Sequence, residues 1–111
     1  MPISWDAFEN VDIRVGRIGR VEDFPAAHKP AYKLWIDFGP DVGVKRSSAR
    51  ITKLYSKEDL VGTSVLAVVN FAPKRIADFV SEVLVLGVVP SEDEVVLVRP
   101  DRDVAPGLRL A

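Results

Sequence analysis

The 111-residue chain has no cysteine and a single histidine. Without a thiol there is no disulfide, no zinc–thiolate site and no thiol nucleophile. With His28 alone there is no histidine cluster for a metal and no chemistry that needs two imidazoles. An excess of charge of one sign is also missing: 15 Lys+Arg stand against 16 Asp+Glu, a formal charge of −1. A protein held to nucleic acid by its overall charge is basic, so any such contact here must come from a local patch. Long apolar runs are lacking too, since the longest, Val83–Pro90, falls far short of the ~20 residues that span a bilayer. The first ten residues carry Asp6 and Glu9, where a secretory leader needs a basic start and an apolar stretch. The expectation is a cytoplasmic protein without membrane insertion, without cofactor or metal, and outside most enzyme classes.

What is present fits one compact domain over residues 1–111. At 48% hydrophobic and 28% charged the chain can bury a core, and splitting it would leave two pieces too small to do so. Ser4 is placed to cap a short helix through Glu9, with Trp5 and Phe8 three apart on one side. That pair is either a partner surface or a cover for an open end of the domain's own core.

From Val11 the pattern turns to period two, with Val11, Ile13 and Val15 apolar. The phase slips at Gly16, where Ile18 and Val21 take over, which predicts a bulge or bend. Phe24–Pro30 is a proline-bounded loop that leaves His28 solvated. Tyr32–Phe38 reads as the second strand, with Leu34, Ile36 and Phe38 on one face. After a Gly39–Asp41 turn, Val42, Val44 and Arg46 alternate with Gly43, Lys45 and Ser47 as the third strand. Ser48–Tyr55 reads as a short helix or coil. Ser56 and Asp59 signal one further helical turn, which Gly62 ends. Val65–Phe71 is a strand covered on both faces, Pro73–Ile76 breaks it, Val83–Val88 is another buried strand and Glu94–Arg99 the last. The count is five or six short strands, and the order three strands, helix, two strands is that of an all-β, five-stranded oligonucleotide/oligosaccharide-binding (OB) barrel with N- and C-terminal extensions.

Candidates for catalysis are thin. Glu58/Asp59 belong to a helix start and Glu92–Glu94 to a turn; Ser47 and Ser48 have no histidine near them in sequence. Gly16–Gly19 matches no phosphate-binding fingerprint. Charge is more telling. Lys45, Arg46, Arg50, Lys53 and Lys57 follow one another with no intervening acid, and Lys74 and Arg75 come directly after the segment ending in Phe71. In a barrel of this order the second and third strands and the loop after the fourth line the binding face. Cations beside Trp35 and Phe71 suit a single-stranded nucleic acid, and they suit an extended peptide with apolar and acidic side chains about equally. The plainer reading is a solvated positive face with Trp35 in the core.

Asp12-Ile-Arg-Val-Gly-Arg-Ile18, Lys33-Leu-x-Ile-Asp-Phe-Gly39, Val69-Asn-Phe-x-Pro-Lys-Arg-Ile76 and Ser81-Glu-Val-Leu-Val-Leu-Gly87 resemble the tRNA-binding-domain family. These OB barrels are appended to aminoacyl-tRNA synthetases, serve in their accessory factors, or stand alone in bacteria as export-related chaperones. The chain is most similar to the stand-alone kind. The match runs from Phe8 to about Gly107, with four motifs in order. It implies a homodimer completed by residues 1–10, with Trp5 and Phe8, and by residues 88–111. It also implies one basic-rimmed apolar groove per subunit. Carried over, the groove uses Lys45, Arg46, Ser47, Ser48, Asn70, Phe71, Pro73, Lys74, Arg75, Ser81 and Glu82. Lys and Arg would attract acidic groups, Phe71 and Pro73 would form an apolar wall, and the Ser and Asn side chains would hydrogen-bond a ligand backbone. Glu82 would orient a basic neighbour.

The chain departs from the family at Val80, where a lysine is usual, at Asp78, where a glycine is usual, and at Val83-Leu84, where tRNA-binding members often carry Gly-Met. A lost cation and a gained acid weaken a hold on phosphates. The expected function is therefore ATP-independent binding of unfolded or precursor polypeptides in connection with the export machinery, with tRNA as the alternative ligand.

Overall fold

The alternating segments become the walls of a barrel. A computed structural model describes residues 1–111. In chain order the elements are α1 (Trp5–Glu9), β1 (Ile13–Asp23), β2 (Tyr32–Asp37), α2 (Gly39–Val42), β3 (Val44–Ala49) and α3 (Lys57–Leu60). There follow β4 (Ser64–Val68), β5 (Lys74–Ile76), β6 (Phe79–Ser81), β7 (Leu84–Val85), β8 (Gly87–Ser91) and β9 (Glu94–Leu97). The order β3-β2-β1-β4-β7 makes a nearly closed antiparallel five-stranded barrel of the OB type, with β5–β6 and β8–β9 as added hairpins. The one-turn α3 lies between β3 and β4, as the order of segments predicts. No helix is long and apolar enough to cross a membrane.

Local chemistry sets several boundaries. The Ser4 hydroxyl accepts the Ala7 N–H at 3.0 Å and starts α1. Ser56 and Asp59 exchange side-chain-to-backbone bonds at the start of α3, and Gly62, with φ +87°, ends it. Leu34, Ile36 and Phe38 share the inward face of β2 and its end and are fully buried with Ile18, Leu60 and Val65. Each such side chain contributes about 1.5–3 kcal/mol of transfer free energy.

The phase slip in β1 has a different cause from the predicted bulge at Gly16. Pairing with β4 runs without interruption from Ile13 to Arg17, and the register shift comes later, between Ile18 and Arg20. Apolar residues change face because both faces of β1 are covered in turn. Ile13 and Val15 pack outward with Leu66 and Val68 beneath Leu86, Val98 and Val104, whereas Ile18 points into the barrel. Gly16 marks a close approach instead: a Cβ there would stand 2.5 Å from Ile36 and 2.6 Å from Phe38.

Three other expectations are corrected. In β3 the inward residue is Ser47 while Val44 is exposed, the reverse of the apolar alternation read from Val42, Val44 and Arg46. The predicted break at Pro73–Ile76 holds a strand, β5, because Ala77 at φ 52° turns the chain tightly enough for Lys74–Ile76 to pair with Phe79–Ser81. Of the predicted buried strand Val83–Val88, only Val83 is buried; Leu84 and Val88 are exposed.

Candidate ligand-binding trough

The two end strands of the barrel sheet, β3 and β7, do not form a backbone ladder with each other. The seam is closed by residues 81–83, largely through side chains. The Glu82 N–H donates to the Arg46 carbonyl at 2.8 Å. The Glu82 carboxylate accepts the Arg46 N–H at 3.0 Å and the Arg46 guanidinium at 3.3 Å. Ser81 Oγ accepts the Ser48 N–H at 3.1 Å, and Ser47 Oγ donates to the Val83 carbonyl at 3.2 Å. Backbone donors of β3 that a neighbouring strand would satisfy are thus met by a carboxylate and a hydroxyl. No buried side-chain polar atom is left without a partner.

Beside this seam lie two adjoining depressions. One, of about 310 Å³, is lined by Ser48, Phe71, Ala72, Lys74, Ile76, Ser81, Glu82, Val83 and Leu84. The other, of about 470 Å³, is lined by Ala27, His28, Lys29, Ala31, Ser48, Ala49, Arg50, Ile51, Ile76, Leu84, Val85, Val95 and Leu97. They share Ser48, Ile76 and Leu84, so they run together as one trough. Its floor is mostly apolar. Lys74 stands near one end and Lys29 and Arg50 near the other, and its one carboxylate, Glu82, is occupied by Arg46.

Five of the eleven residues carried over from the family line this trough: Ser48, Phe71, Lys74, Ser81 and Glu82. Phe71 is 57% exposed and offers an open ring. Ser47 is 1% exposed and spends its hydroxyl on the seam, so it cannot meet a ligand. Asn70 is engaged elsewhere, its side chain accepting the Asp12 N–H at 3.0 Å and donating to the Asn10 carbonyl at 2.8 Å. Lys45 lines neither depression. Arg46 lies 5.6 Å from the Phe79 ring centre and on the Glu82 carboxylate, the orienting role expected of Glu82. Pro73 and Arg75 are exposed outside the lining; strand alternation turns Lys74 and Ile76 to the trough and Arg75 away.

Trp35 also lies off the trough, edge-on to Phe79 at 5.7 Å and beneath the Arg20 guanidinium at 4.4 Å. Trp5 and Phe8 are exposed on α1, so they do not cover the domain's own core. The one-sided apolar pair of the sequence is therefore a free surface in the single chain.

Sequence reasoning missed the second depression. Arg50 was visible in the basic run, but nothing in Phe24–Pro30 could say that this loop folds back beside β9. His28 is exposed, as expected, and yet lines the site. The resolved pKa shifts fall outside the trough. A hydrogen bond to Asp12 raises Arg14, and one to Asp23 at 2.9 Å raises Lys57 above the usual lysine range.

Known proteins share this fold. The family described as "Putative tRNA binding domain" matches residues 13–109. A crystal structure of the chaperone CsaA from Bacillus anthracis superposes with a TM-score of 0.95 at 46% identity, covering 100% of both chains. The CsaA chaperone protein of Picrophilus torridus gives 0.93 at 51%, covering 99% of this chain and 100% of that one. The methionine–tRNA ligase of Thermococcus onnurineus is 33% identical over 108 residues, which are 97% of this chain and 14% of that protein. The chain thus spans only a small part of such curated relatives. With the family's pattern matched along nearly its whole length, the chain belongs to the tRNA-binding-domain family.

Proposed function

We propose that the protein is a non-catalytic, ATP-independent chaperone that holds unfolded or precursor polypeptide segments in the trough. The observation that carries this reading is the trough itself, a continuous apolar floor with Lys74 near one end and Lys29 and Arg50 near the other. Apolar side chains of an extended segment would fill the floor, and its acidic side chains would meet the cations. The high identity to two CsaA chaperones supports the same reading. A homodimer pairing the exposed Trp5 and Phe8 surfaces would give two troughs per particle, which raises effective concentration and lets modest affinity per site suffice. Trp5→Ser with Phe8→Ser is then expected to give monomers by analytical ultracentrifugation; a dimer persisting at low micromolar concentration would move the interface elsewhere. In the cell the protein would act in the cytoplasm, handing precursors to the export machinery.

The match to the tRNA-binding family and to a methionine–tRNA ligase favours a second reading, tRNA held on the same cations. A salt titration separates the two. Contacts to phosphates weaken steeply with salt, by about 0.7 in log K per log salt for each single-strand contact, whereas apolar burial does not. Fluorescence anisotropy with a labelled unfolded polypeptide is expected to show binding retained at high salt, while tRNA binding is weak at physiological ionic strength. Tight tRNA binding there, with no polypeptide bound at any salt, would overturn the chaperone reading.

A further inference from the structure

A third depression, of about 620 Å³, continues the trough beyond its second part and shares Lys29, Arg50 and Val95 with it. Its remaining lining includes Lys53 on the side of β3 and, opposite, Glu92 and Asp93 at the tip of the β8–β9 hairpin. These charges are uncommitted. Glu94 accepts the Ser91 hydroxyl at 2.8 Å, but Glu92 and Asp93 take part in no hydrogen bond or ion pair, and Lys29, Arg50 and Lys53 take part in none either. Two free carboxylates therefore share one recess with three free cations. A recess of this volume is roughly the width of the Debye length at physiological salt, about 8 Å, so the opposing charges act on any ligand that enters.

We propose that Glu92 and Asp93 are specificity residues that hold polyanions off the trough. The proposal rests on the reading of the trough as the binding site. A phosphate backbone drawn to Lys29, Arg50 and Lys53 would run past two carboxylates with which it has only repulsion, and like-charge juxtaposition disfavours the wrong partner more than it costs the right one. A polypeptide, whose charges are of both signs and spaced apart, can place a cation toward the hairpin tip and an acid toward Lys29 or Arg50. The hairpin tip would thus explain how a barrel with a basic rim and a net charge of −1 favours polypeptide over RNA.

The test compares Glu92→Gln/Asp93→Asn with Glu58→Gln/Asp101→Asn, which removes the same charge from exposed sites outside all three depressions. Poly(U) binding is measured at low and at physiological salt. The hairpin variant is expected to bind poly(U) roughly five-fold more tightly at low salt, with a steeper salt dependence, because phosphates no longer repelled by two carboxylates make more contacts with the three cations and release more counterions. The control variant is expected to change by less than about two-fold, since screened, distant charges contribute little. Equal gains in the two variants, or no gain in the hairpin variant, would overturn the proposal. Binding of a labelled unfolded polypeptide is followed in parallel. If wild type binds the polypeptide and the hairpin variant gains nothing for poly(U), the specificity role fails and the chaperone reading stands. If wild type binds no polypeptide, the reading beneath it fails.

Discussion

The barrel is closed in two ways on its two flanks. On one, residues 107–110 lie along Ile13–Val15, the stretch of β1 that β2 leaves unpaired: Val15 donates to Leu108 at 2.9 Å, Gly107 to Val15 at 2.8 Å and Leu110 to Ile13 at 2.9 Å. Three main-chain bonds seal that edge, and Val98 and Val104 cover the apolar residues next to it. On the other flank, β3 meets residues 81–83 through one main-chain bond and several side-chain bonds. A ladder brings strands within about 4.8 Å and leaves no room between them, whereas side chains that stand in for a strand hold the walls further apart. The trough lies where the ladder is missing. Sealing one flank with backbone and the other with side chains lets a small barrel keep a core while opening a groove.

The comparison can be broken most severely on the sealed flank. Gly107 has φ +94°, and a Cβ there would stand 2.6 Å from the Phe38 carbonyl oxygen. Gly107→Val is expected to cost more than about 3 kcal/mol through backbone strain and displacement of the edge, measured by urea unfolding. Wild-type stability would show that the tail does not seal the barrel. The seam should be more tolerant. Glu82→Ala removes the acceptor of the Arg46 N–H and is expected to cost about 1–2 kcal/mol and to weaken polypeptide binding, because the trough wall moves. A seam variant as damaging as the tail variant would contradict the difference between the flanks.

Smaller again is the effect of the rim. Lys74→Ala with Arg75→Ala is expected to change stability by less than about 0.5 kcal/mol while lowering polypeptide affinity several-fold. Since only Lys74 lines the trough, Lys74→Ala alone should give most of the loss and Arg75→Ala little. Smallest is Lys57, raised by its bond to Asp23. A folded value above the unfolded one gives a contribution that is present below about pH 10.4 and is lost as pH rises through the folded value. The pair is exposed and screened, so Lys57→Met should leave the thermal midpoint at pH 7 almost unchanged.

Much of this architecture is legible in residues 1–111 before any coordinates. The inward face of β2, the caps at Ser4 and Ser56 and the five-strand order follow from alternation and capping chemistry, which are local. What misleads is coverage by distant segments. The face switch in β1 looks like a bulge at Gly16 because the sequence cannot say that residues 98 and 104 cover Ile13 and Val15. Ser47 reads as a ligand hydrogen-bonder because the family's motif carries it into the groove, yet the seam calls for an inward hydroxyl. In the trough, Ser48, Phe71, Lys74, Ser81 and Glu82 were legible through the family's motifs. The loop carrying His28 and Lys29 was not, since loop placement depends on what it packs against.

The central claim is tested most directly by assigning the backbone amides by NMR and adding an unfolded polypeptide. The amides of Ser48, Arg50, Phe71, Lys74, Ile76 and Leu84 are predicted to shift, while those of Gly107–Leu110 stay in place. Shifts along Gly107–Leu110, with the trough residues unmoved, would contradict the account.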